Sequence, residues 1–504
     1  SRVVLQQVEN HSMARAAVAF AVLVLALAAL ADAQSNTTSW FAPPDPDVYW
    51  YTQTFDHFNS SDTRTFQQRY LVYDQYWYDA PDDEIKPIFF CPGGEADVYG
   101  GYDHNGFMFQ FGMKIGAFML FPEHRFYGDS LPFGPKDSYT PENIVGLTIE
   151  QALQDYVVII QEAMELWNIP ADTPIIAMGG SYPGELASFL RIAFPDVVDG
   201  ALASSAPVRY HPFLEGGTKS GSFFAVATRD FGQEDPACPG LVRDAFTEMI
   251  DLFDTASGRQ QIQEELMLCK PLVGAPQELR LLNLWIENAF ASLGMENYPY
   301  SIPPYPAYPM RVACDAMRNT SSQGLLPGLA ASIGVWYNAT QNLTCHDILV
   351  EYYPCADITG CGGGVGDPDA MSWDYQSCTE LIANVDTNNV TDMFPPAPYD
   401  FDQLTAYCQQ HWGATPDPLK IPTMYNYTTS SRIIYSNGYL DPWWPGGVLL
   451  DQSVSLIAVQ MEGAAHHLDL RGSDPADPVP VVTTRQIEEE IIMGWLLDIT
   501  QNGS

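Results

Sequence analysis

A serine at a cramped strand-to-helix junction is the first candidate for chemistry, in the segment 178–185 (MGGSYPGE). An apolar run leads into two glycines and Ser181, and the stretch 184–194 has apolar residues at helical spacing. Such a turn can hold a serine hydroxyl above a sheet edge as a nucleophile. Pro183 replaces the last glycine of the G-x-S-x-G pattern, which the first turn of a helix tolerates. An ordinary glycine-rich turn has the same composition, so this motif alone does not distinguish a nucleophilic serine from a structural turn.

An acid and two histidines follow later apolar runs, in the order that a serine hydrolase requires. Asp441 comes just after the run 432–436, and His466 and His467 follow 456–461. A histidine can take the serine proton and return it to the leaving group, and a carboxylate fixes the histidine tautomer. The order Ser, Asp, His is that of α/β-hydrolases. Isolated loop acids and histidines are more often structural, and both histidines remain candidates for the base.

Alternation of apolar runs with helical patterns predicts the elements that position these residues. Strand-like runs and helical stretches alternate from residue 86 to about 208, stop, and resume at 432–436. This pattern is typical of a parallel sheet with helices on both faces. The segment 66–73 alternates like an edge strand. We therefore predict the α/β class: an α/β-hydrolase core with a large, mainly helical, disulfide-braced inserted cap. The expected divisions are 1–33 (upstream residues and signal peptide), 34–208 (core, first part), 209–420 (cap) and 421–504 (core, second part).

The cysteines indicate an oxidising compartment. Cys91 lies in an apolar run and is expected to be a buried thiol, whereas the other eight all lie between residues 238 and 408. An even, clustered set in an exported chain is typical of disulfides. No paired C-x-x-C spacing is present, so a zinc site is not expected. We expect no metal and no organic cofactor.

The N-terminal region has the pattern of an export signal. A short basic start at 13–15 precedes the apolar run 16–31, and Ala31-Asp32-Ala33 fits a cleavage site. An uncleaved anchor is the alternative, although we expect no stable membrane anchor. Glycosylation sequons occur at Asn36, Asn59, Asn319, Asn338, Asn342, Asn389 and Asn426. The sequence thus predicts the secretory pathway, with a secreted or a lysosomal or vacuolar destination.

Acidic residues outnumber basic ones, 62 to 22, for a formal net charge of −40. Such a surface repels phosphate backbones, so nucleic acid is not an expected partner. The excess of acids fits either work in an acidic compartment, where protonation reduces repulsion, or high solubility alone.

Taken together, several separate motifs make the chain resemble the S28 serine peptidases, the group of lysosomal Pro-Xaa carboxypeptidase and dipeptidyl peptidase II. They are 55–58 (FDHF), 123–128 (EHRFYG), 179–182 (GGSY), 373–380 (WDYQSCTE), 436–438 with 440–443 (SNG, LDPW) and 466–471 (HHLDLR). The resemblance implies Ser181 as nucleophile, Asp441 as the acid and His466 as the base. His467 would then be a packing or hydrogen-bonding neighbour.

The resemblance and the residues together extend this assignment. The oxyanion hole is expected from the N–H groups of Tyr182 and Gly94, the latter in the loop 92–97, which departs from the family's Gly-Asn-Glu-Gly-Asp at two positions. The resemblance implies the disulfides Cys238–Cys314, Cys269–Cys345 and Cys378–Cys408. Cys355 and Cys361 would be left to pair locally.

The implied substrates are peptides with proline near one end, cut from either the carboxyl or the amino terminus. An apolar pocket should hold the proline, with Trp443, Trp444, Trp373 and Met371 as candidates. A homodimer is plausible by resemblance. Two alternatives stay open: an esterase or acyltransferase on the same core, because the triad does not select amides, and a catalytically silent secreted binding protein.

Overall fold

Eight strands form one sheet in the order β1-β2-β4-β3-β5-β6-β7-β8. The computed structural model describes residues 41–81 and 85–502, so the expected signal peptide and Asn36 lie outside the described residues. The strands are β1 Asp47–Thr54, β2 Thr65–Tyr73, β3 Ile88–Phe90, β4 Phe118–Pro122, β5 Ile175–Gly180, β6 Gly200–Ser204, β7 Ile433–Gly438 and β8 Leu456–Met461. The pairs β1–β2 and β2–β4 are antiparallel, and all other neighbours are parallel.

Helices cover both faces of the sheet because successive strand residues point to opposite sides. Ile88 and Phe90 pack with the helix α6 on one face, and Phe89 packs on the other face in a cluster shared with Trp495 near the C-terminus. Before Ser181 the helices are α1 Gln75–Asp79, α2 Val98–His104, α3 Gly106–Ile115, α4 Gly134–Asp137, α5 Pro141–Ile144 and α6 Ile149–Leu166. The last helix is α18 Val479–Asn502, which follows helices α7 to α17. The described residues therefore have the predicted α/β-hydrolase architecture.

The strand 66–73 forms as expected but does not lie at the edge of the sheet. β1 pairs with it along its whole length, from Asp47 opposite Val72 to Thr54 opposite Thr65. The sequence reasoning missed β1 because most of its side chains are partly or fully exposed, so its alternation is weak; Trp50, for example, is exposed. β1 is the true edge strand.

Between residues 209 and 420 no described residue joins the central sheet, and helices predominate. After α7 Ser181–Ala193, these helices are α8 Ser222–Glu234, α9 Cys238–Phe253, α10 Ala256–Glu265, α11 Pro276–Met295, α12 Pro309–Thr320, α13 Leu325–Tyr337, α14 Ile348–Glu351, α15 Pro368–Ser377, α16 Phe401–His411 and α17 Lys420–Met424. Many of them share a second apolar core, which includes Trp285, Phe290 and Phe394.

Four disulfides brace the helical segment. They join Cys238 to Cys314, Cys269 to Cys345, Cys355 to Cys361 and Cys378 to Cys408, the same four pairs that the sequence analysis gives. Cys91 is a buried free thiol whose pKa burial raises to about 12, so it stays protonated and unreactive.

The glycosylation candidates within the described residues lie at the surface. Asn59, Asn319, Asn342, Asn389 and Asn426 are exposed, and Asn338 is partly exposed. Across residues 41–81 and 85–502, no helix combines the length and the apolar character needed to cross a membrane.

Candidate active site

Ser181 occupies the turn between β5 and α7. Its φ of +59° lies in the left-handed region, which only a tightly constrained turn imposes on a serine. The two preceding glycines make room for this turn. A Cβ on Gly179 would lie 2.4 Å from the carbonyl oxygen of Pro183, and one on Gly180 would lie 2.8 Å from the His467 ring. The backbone at Ser181 thus has the geometry that the sequence motif predicts.

Asp441 and His466 form a buried hydrogen-bonded pair. His466 Nδ1–H donates to Asp441 Oδ2 at 2.8 Å, and the Trp443 backbone N–H donates to Asp441 Oδ1 at 2.9 Å. Burial by itself lowers the pKa of His466, but the neighbouring Asp441 carboxylate outweighs it and raises the pKa above the usual 6.5. The carboxylate therefore fixes the tautomer with Nε2 free to accept a proton.

His467 occupies a different position from its neighbour. Its backbone N–H donates to Ser205 Oγ at 2.9 Å, and its ring packs against Gly180, with its centroid 4.5 Å from that of His466. Burial and the neighbouring His466 hold the pKa of His467 well below its ordinary value. Asp441 contacts His466 and not His467, which favours His466 as the base.

Ser181 faces a cavity shared with His467 and the loop after β3. This cavity, of about 250 Å³, is also bordered by Gly94 and Glu95. In the part of the chain that the structure describes, Ser181 Oγ makes no hydrogen bond to either histidine. Catalytic hydrogen bonds of unliganded enzymes are often long and tighten only with substrate.

The backbone at Gly94 and Tyr182 borders the site where an oxyanion would form. Gly94 approaches the first turn of α7 so closely that a Cβ would lie 2.5 Å from Pro183 Cγ. Tyr182 is the second residue of α7, where backbone N–H groups have no intrahelical partner and the helix dipole favours negative charge. The assignment of these two N–H groups to an oxyanion hole stays a prediction.

A chain of side-chain hydrogen bonds holds Tyr182 in place. His124 Nδ1–H donates to the Arg125 carbonyl at 2.7 Å, so its Nε2 accepts from the Tyr182 hydroxyl at 3.0 Å. Gln376 Nε2 donates to the same Tyr182 oxygen at 2.9 Å, and Gln376 Oε1 accepts from Tyr127 at 2.6 Å. This chain joins two motifs of the sequence analysis, 123–128 and 373–380, and the residue types alone did not reveal it.

A second cavity borders Ser181 on its aromatic side. Trp373 and Trp443 line it, as expected, together with Tyr182 and Tyr210. Trp444 points elsewhere: its ring packs on Tyr439, and its Nε1 donates to Gln460. Met371 packs in another cluster, with residues such as Tyr139, because two residues along a helix point to different sides.

Two polar residues of this second cavity were absent from the sequence-based candidates. Glu185, on α7, and His211, in the segment after β6, both border the cavity and are buried. Glu185 lies four residues after Ser181, a helical spacing that could have placed both residues on one face of α7. No comparable sequence signal marks His211.

The loop that carries His466 is tied to the sheet through Asp469. Ser204 Oγ, at the end of β6, donates to Asp469 Oδ1 at 2.6 Å, and Ser436 Oγ, in β7, donates to Oδ2 at 2.5 Å. Arg485 donates to the backbone carbonyls of Leu468 and Asp469. The histidine loop is therefore held by two strands and by α18.

One group of potential metal ligands occurs among residues 41–81 and 85–502: Cys355, Cys361 and Asp374. The two cysteines are bonded to each other, and a disulfide sulfur is not the thiolate that binds metals. Asp374 is occupied, since it accepts from Trp412 Nε1 at 2.8 Å. This group therefore has a structural role.

Known proteins that are similar to this chain identify its family. Residues 53–488 match the family described as Serine carboxypeptidase S28. The chain is 35% identical over 477 residues to the lysosomal Pro-X carboxypeptidase of Mus musculus, covering 92% of this chain and 93% of the relative. It is 30% identical to the putative serine protease pcp-1 of Caenorhabditis elegans, covering 90% and 84%. A peroxisomal alpha-beta-hydrolase structure from Saccharomyces cerevisiae aligns over 89% of each chain at 9% identity, with a TM-score of 0.38. The chain belongs to the serine carboxypeptidase S28 family and is a serine-type peptidase that acts on peptides.

Proposed function

We propose that the protein is an exopeptidase that cleaves peptides next to proline through an acyl-enzyme, with Ser181, His466 and Asp441 as its triad. The observations that carry this proposal are the buried Asp441–His466 pair and the strained turn at Ser181, whose preceding Gly180 packs against the adjacent His467. A binding protein without catalysis would have no need for a serine at positive φ, which costs about 1–3 kcal/mol.

In the proposed reaction, each group acts once in the formation of the acyl-enzyme and once in its hydrolysis. His466 Nε2 takes the proton of Ser181 as its oxygen attacks the peptide carbonyl, and the imidazolium that forms is stabilised by Asp441. The N–H groups of Gly94 and Tyr182 bind the oxyanion, a contribution of about 3–4 kcal/mol per donor. The proton then passes to the leaving amine, and water repeats the sequence on the ester.

Proline specificity is supported by the aromatic cavity and by the relatives. Trp373 and Trp443 line a small cavity that touches both Ser181 and Tyr182. A flat, apolar ring fits such a wall better than a long or charged side chain. The relatives with 35% identity are named Pro-X carboxypeptidases, which supports proline on the acyl side of the cleaved bond.

A fluorophosphonate probe tests the nucleophile. We expect the probe to label the wild-type protein and to leave Ser181→Ala unlabelled, since the probe needs an activated serine. Equal labelling of both proteins would remove Ser181 from the mechanism, and absence of labelling would favour a binding protein.

Two substrates, each with one terminus blocked, show from which end of a peptide the enzyme cleaves. N-acetyl-Ala-Pro-Phe has only a free carboxyl terminus, and Ala-Pro-aminomethylcoumarin has only a free amino terminus. Cleavage of the first alone assigns a carboxypeptidase, and cleavage of the second alone assigns a dipeptidyl aminopeptidase. If the labelled enzyme cleaves neither peptide but hydrolyses nitrophenyl esters, it is an esterase.

We also propose a secreted, lysosomal or vacuolar location. The disulfides within the helical segment require oxidising conditions during folding, and the relatives with 35% identity are named lysosomal. Endoglycosidase treatment should lower the apparent mass of the protein expressed in its own cells. An unchanged mass together with free thiols at these cysteines would contradict this location.

A further inference from the structure

Two buried hydrogen-bonding groups on the aromatic cavity have no partner among the described residues. Glu185 is 5% exposed, and its carboxyl group makes no hydrogen bond to any residue that the structure describes. His211 is 4% exposed, and its Nδ1 is likewise unpaired. Leaving a fully buried atom such as His211 Nδ1 unpaired costs about 1–3 kcal/mol. The Glu185 carboxyl group therefore offers the cavity a hydrogen bond that the protein itself does not use.

Apart from Ser181, the rest of the cavity wall is mostly apolar or already hydrogen-bonded. Trp373, Trp443 and Leu381 provide apolar surface. Asp357, the other acid on the wall, accepts from Trp373 Nε1 at 2.9 Å and from the hydroxyl of Thr359 at 2.7 Å. Glu185 and His211 thus carry the other unpaired polar groups of the wall.

The volume of the cavity limits its occupant. At about 60 Å³ it has space for roughly four to six water molecules. A hydroxylated pyrrolidine ring places three carbons and one oxygen beyond the backbone, which fits this space. An extended lysine or arginine side chain is longer and would not fit without opening the wall.

We infer that the cavity binds a hydroxylated proline, so that the enzyme cleaves after 4-hydroxyproline in preference to proline. This inference rests on the proposed function, which places the residue on the acyl side of the cleaved bond in this cavity. The ring carbons pack against Trp373 and Trp443, and the hydroxyl group makes a hydrogen bond with Glu185.

The protonation states of the two groups favour a neutral occupant. Burial, and then the nearby Glu95, raise the pKa of Glu185 to about 8, and burial lowers the pKa of His211 to about 4. Between these values both side chains are uncharged. A neutral carboxyl group can both donate to and accept from a hydroxyl group, whereas a cationic side chain would need the ionised carboxylate.

Three tripeptides test the preference in the wild-type enzyme: Ala-Hyp-Phe, Ala-Pro-Phe and Ala-(4-fluoro-Pro)-Phe. Both ends are free and the bond after the ring releases phenylalanine, so the assay works for either kind of exopeptidase. We expect kcat/KM for the hydroxyproline peptide to exceed that for the proline peptide about tenfold or more. The fluorinated peptide, which has the size but no hydroxyl group, should resemble the proline peptide.

Variants of Glu185 assign the preference to this residue. Glu185→Met should reduce the ratio of the two kcat/KM values to about one, whereas Glu185→Gln, which keeps hydrogen-bonding groups, should retain most of it. A wild-type ratio at or below one, a ratio unchanged in Glu185→Met, or a preference for Ala-Lys-Phe would overturn the inference. If Glu185→Met does not fold, the wild-type ratios and Glu185→Gln still decide.

The outcomes separate this inference from the proposed function. An enzyme labelled at Ser181 that cleaves Ala-Pro-Phe best keeps its proposed function and loses only the hydroxyproline preference. An enzyme labelled at Ser181 that cleaves none of the three tripeptides loses both.

Discussion

One hydrogen bond distinguishes two adjacent histidines at the residue scale. His466 and His467 have the same chemistry and lie side by side, yet only His466 reaches the Asp441 carboxylate. A base must have its Nδ1 proton held so that Nε2 can accept the serine proton. Backbone geometry makes this choice, because the positive φ of His467 turns its side chain away toward Gly180.

Substitutions of the pair should stop turnover and leave the fold intact. We expect Asp441→Asn and His466→Ala each to lower kcat at least about 100-fold, because the first disturbs the tautomer and the second removes the base. Initial rates with Ala-Pro-Phe, together with circular dichroism, measure both effects. If His466→Ala stays active and His467→Ala does not, the base is His467.

Gly94 offers a sharper test of the oxyanion hole. A methyl group at this position would collide with the Pro183 ring, which would move the loop and its N–H group away from Ser181. We expect Gly94→Ala to lower kcat about 100-fold with little change in KM. Gly100 borders the same cavity, and a Cβ there meets nothing within 4 Å, so Gly100→Ala should stay close to wild type. Equal activity of both variants would contradict the expected displacement of the loop and its N–H group.

At the scale of secondary-structure elements, buried polar side chains connect segments that are distant in the sequence. Arg125 follows β4 and donates through Nε and Nη2 to both oxygens of Asp155 on α6, at 2.6 and 2.7 Å. Asp155 also accepts from His57 at 2.7 Å, and Arg125 reaches the carbonyl of Phe55. These contacts connect the motifs 55–58 and 123–128, so the two motifs share a buried structural site.

Removing Arg125 should destabilise the protein strongly. Arg125→Met leaves a buried carboxylate and several carbonyls without their donor, and we expect unfolding to become easier by about 3 kcal/mol or more. Arg64, which pairs with Asp62 at the surface, is the matched control, and Arg64→Met should cost less than about 1 kcal/mol. Chemical denaturation of both variants in the Ser181→Ala background measures the difference. Equal losses would mean that the Arg125 cluster adds nothing beyond a surface pair.

Periodicity predicts elements better than it predicts neighbours. The core strands and α6 were predictable because buried elements leave uninterrupted or helically spaced apolar patterns. β1 was missed because an edge strand with exposed side chains lacks that contrast. Among the pocket candidates, Trp373 and Trp443 reach the cavity and Trp444 does not, because adjacent side chains diverge. Glu185 and His211 were missed because only the folded chain brings their two segments together at one cavity.

The whole molecule combines a strongly acidic composition with buried acids whose pKa values are raised. Burial raises the pKa of Asp230 and of Asp369 to about 6, and it raises the pKa values of Glu287 and Glu488 well above the ordinary value. Only 22 basic residues oppose 62 acidic ones. Most of the acidic residues therefore cannot be neutralised by an ion pair with a basic residue. Protonation is the other way in which a buried acid loses its charge.

This charge distribution predicts a stability that falls as pH rises. Each of these acids binds its proton more tightly in the folded than in the unfolded state, where the carboxyl pKa is about 4. The stabilisation is complete below that value and is lost as pH rises through the raised pKa values, which lie between about 6 and 8 for Asp230, Asp369 and Glu185. We expect the unfolding free energy of Ser181→Ala to fall by at least about 2 kcal/mol from pH 5 to pH 8. Glu488→Gln should flatten the slope because the amide does not titrate, and Glu490→Gln, at an exposed position of the same helix, should not. A stability that stays level or rises with pH would mean that the buried acids do not control it.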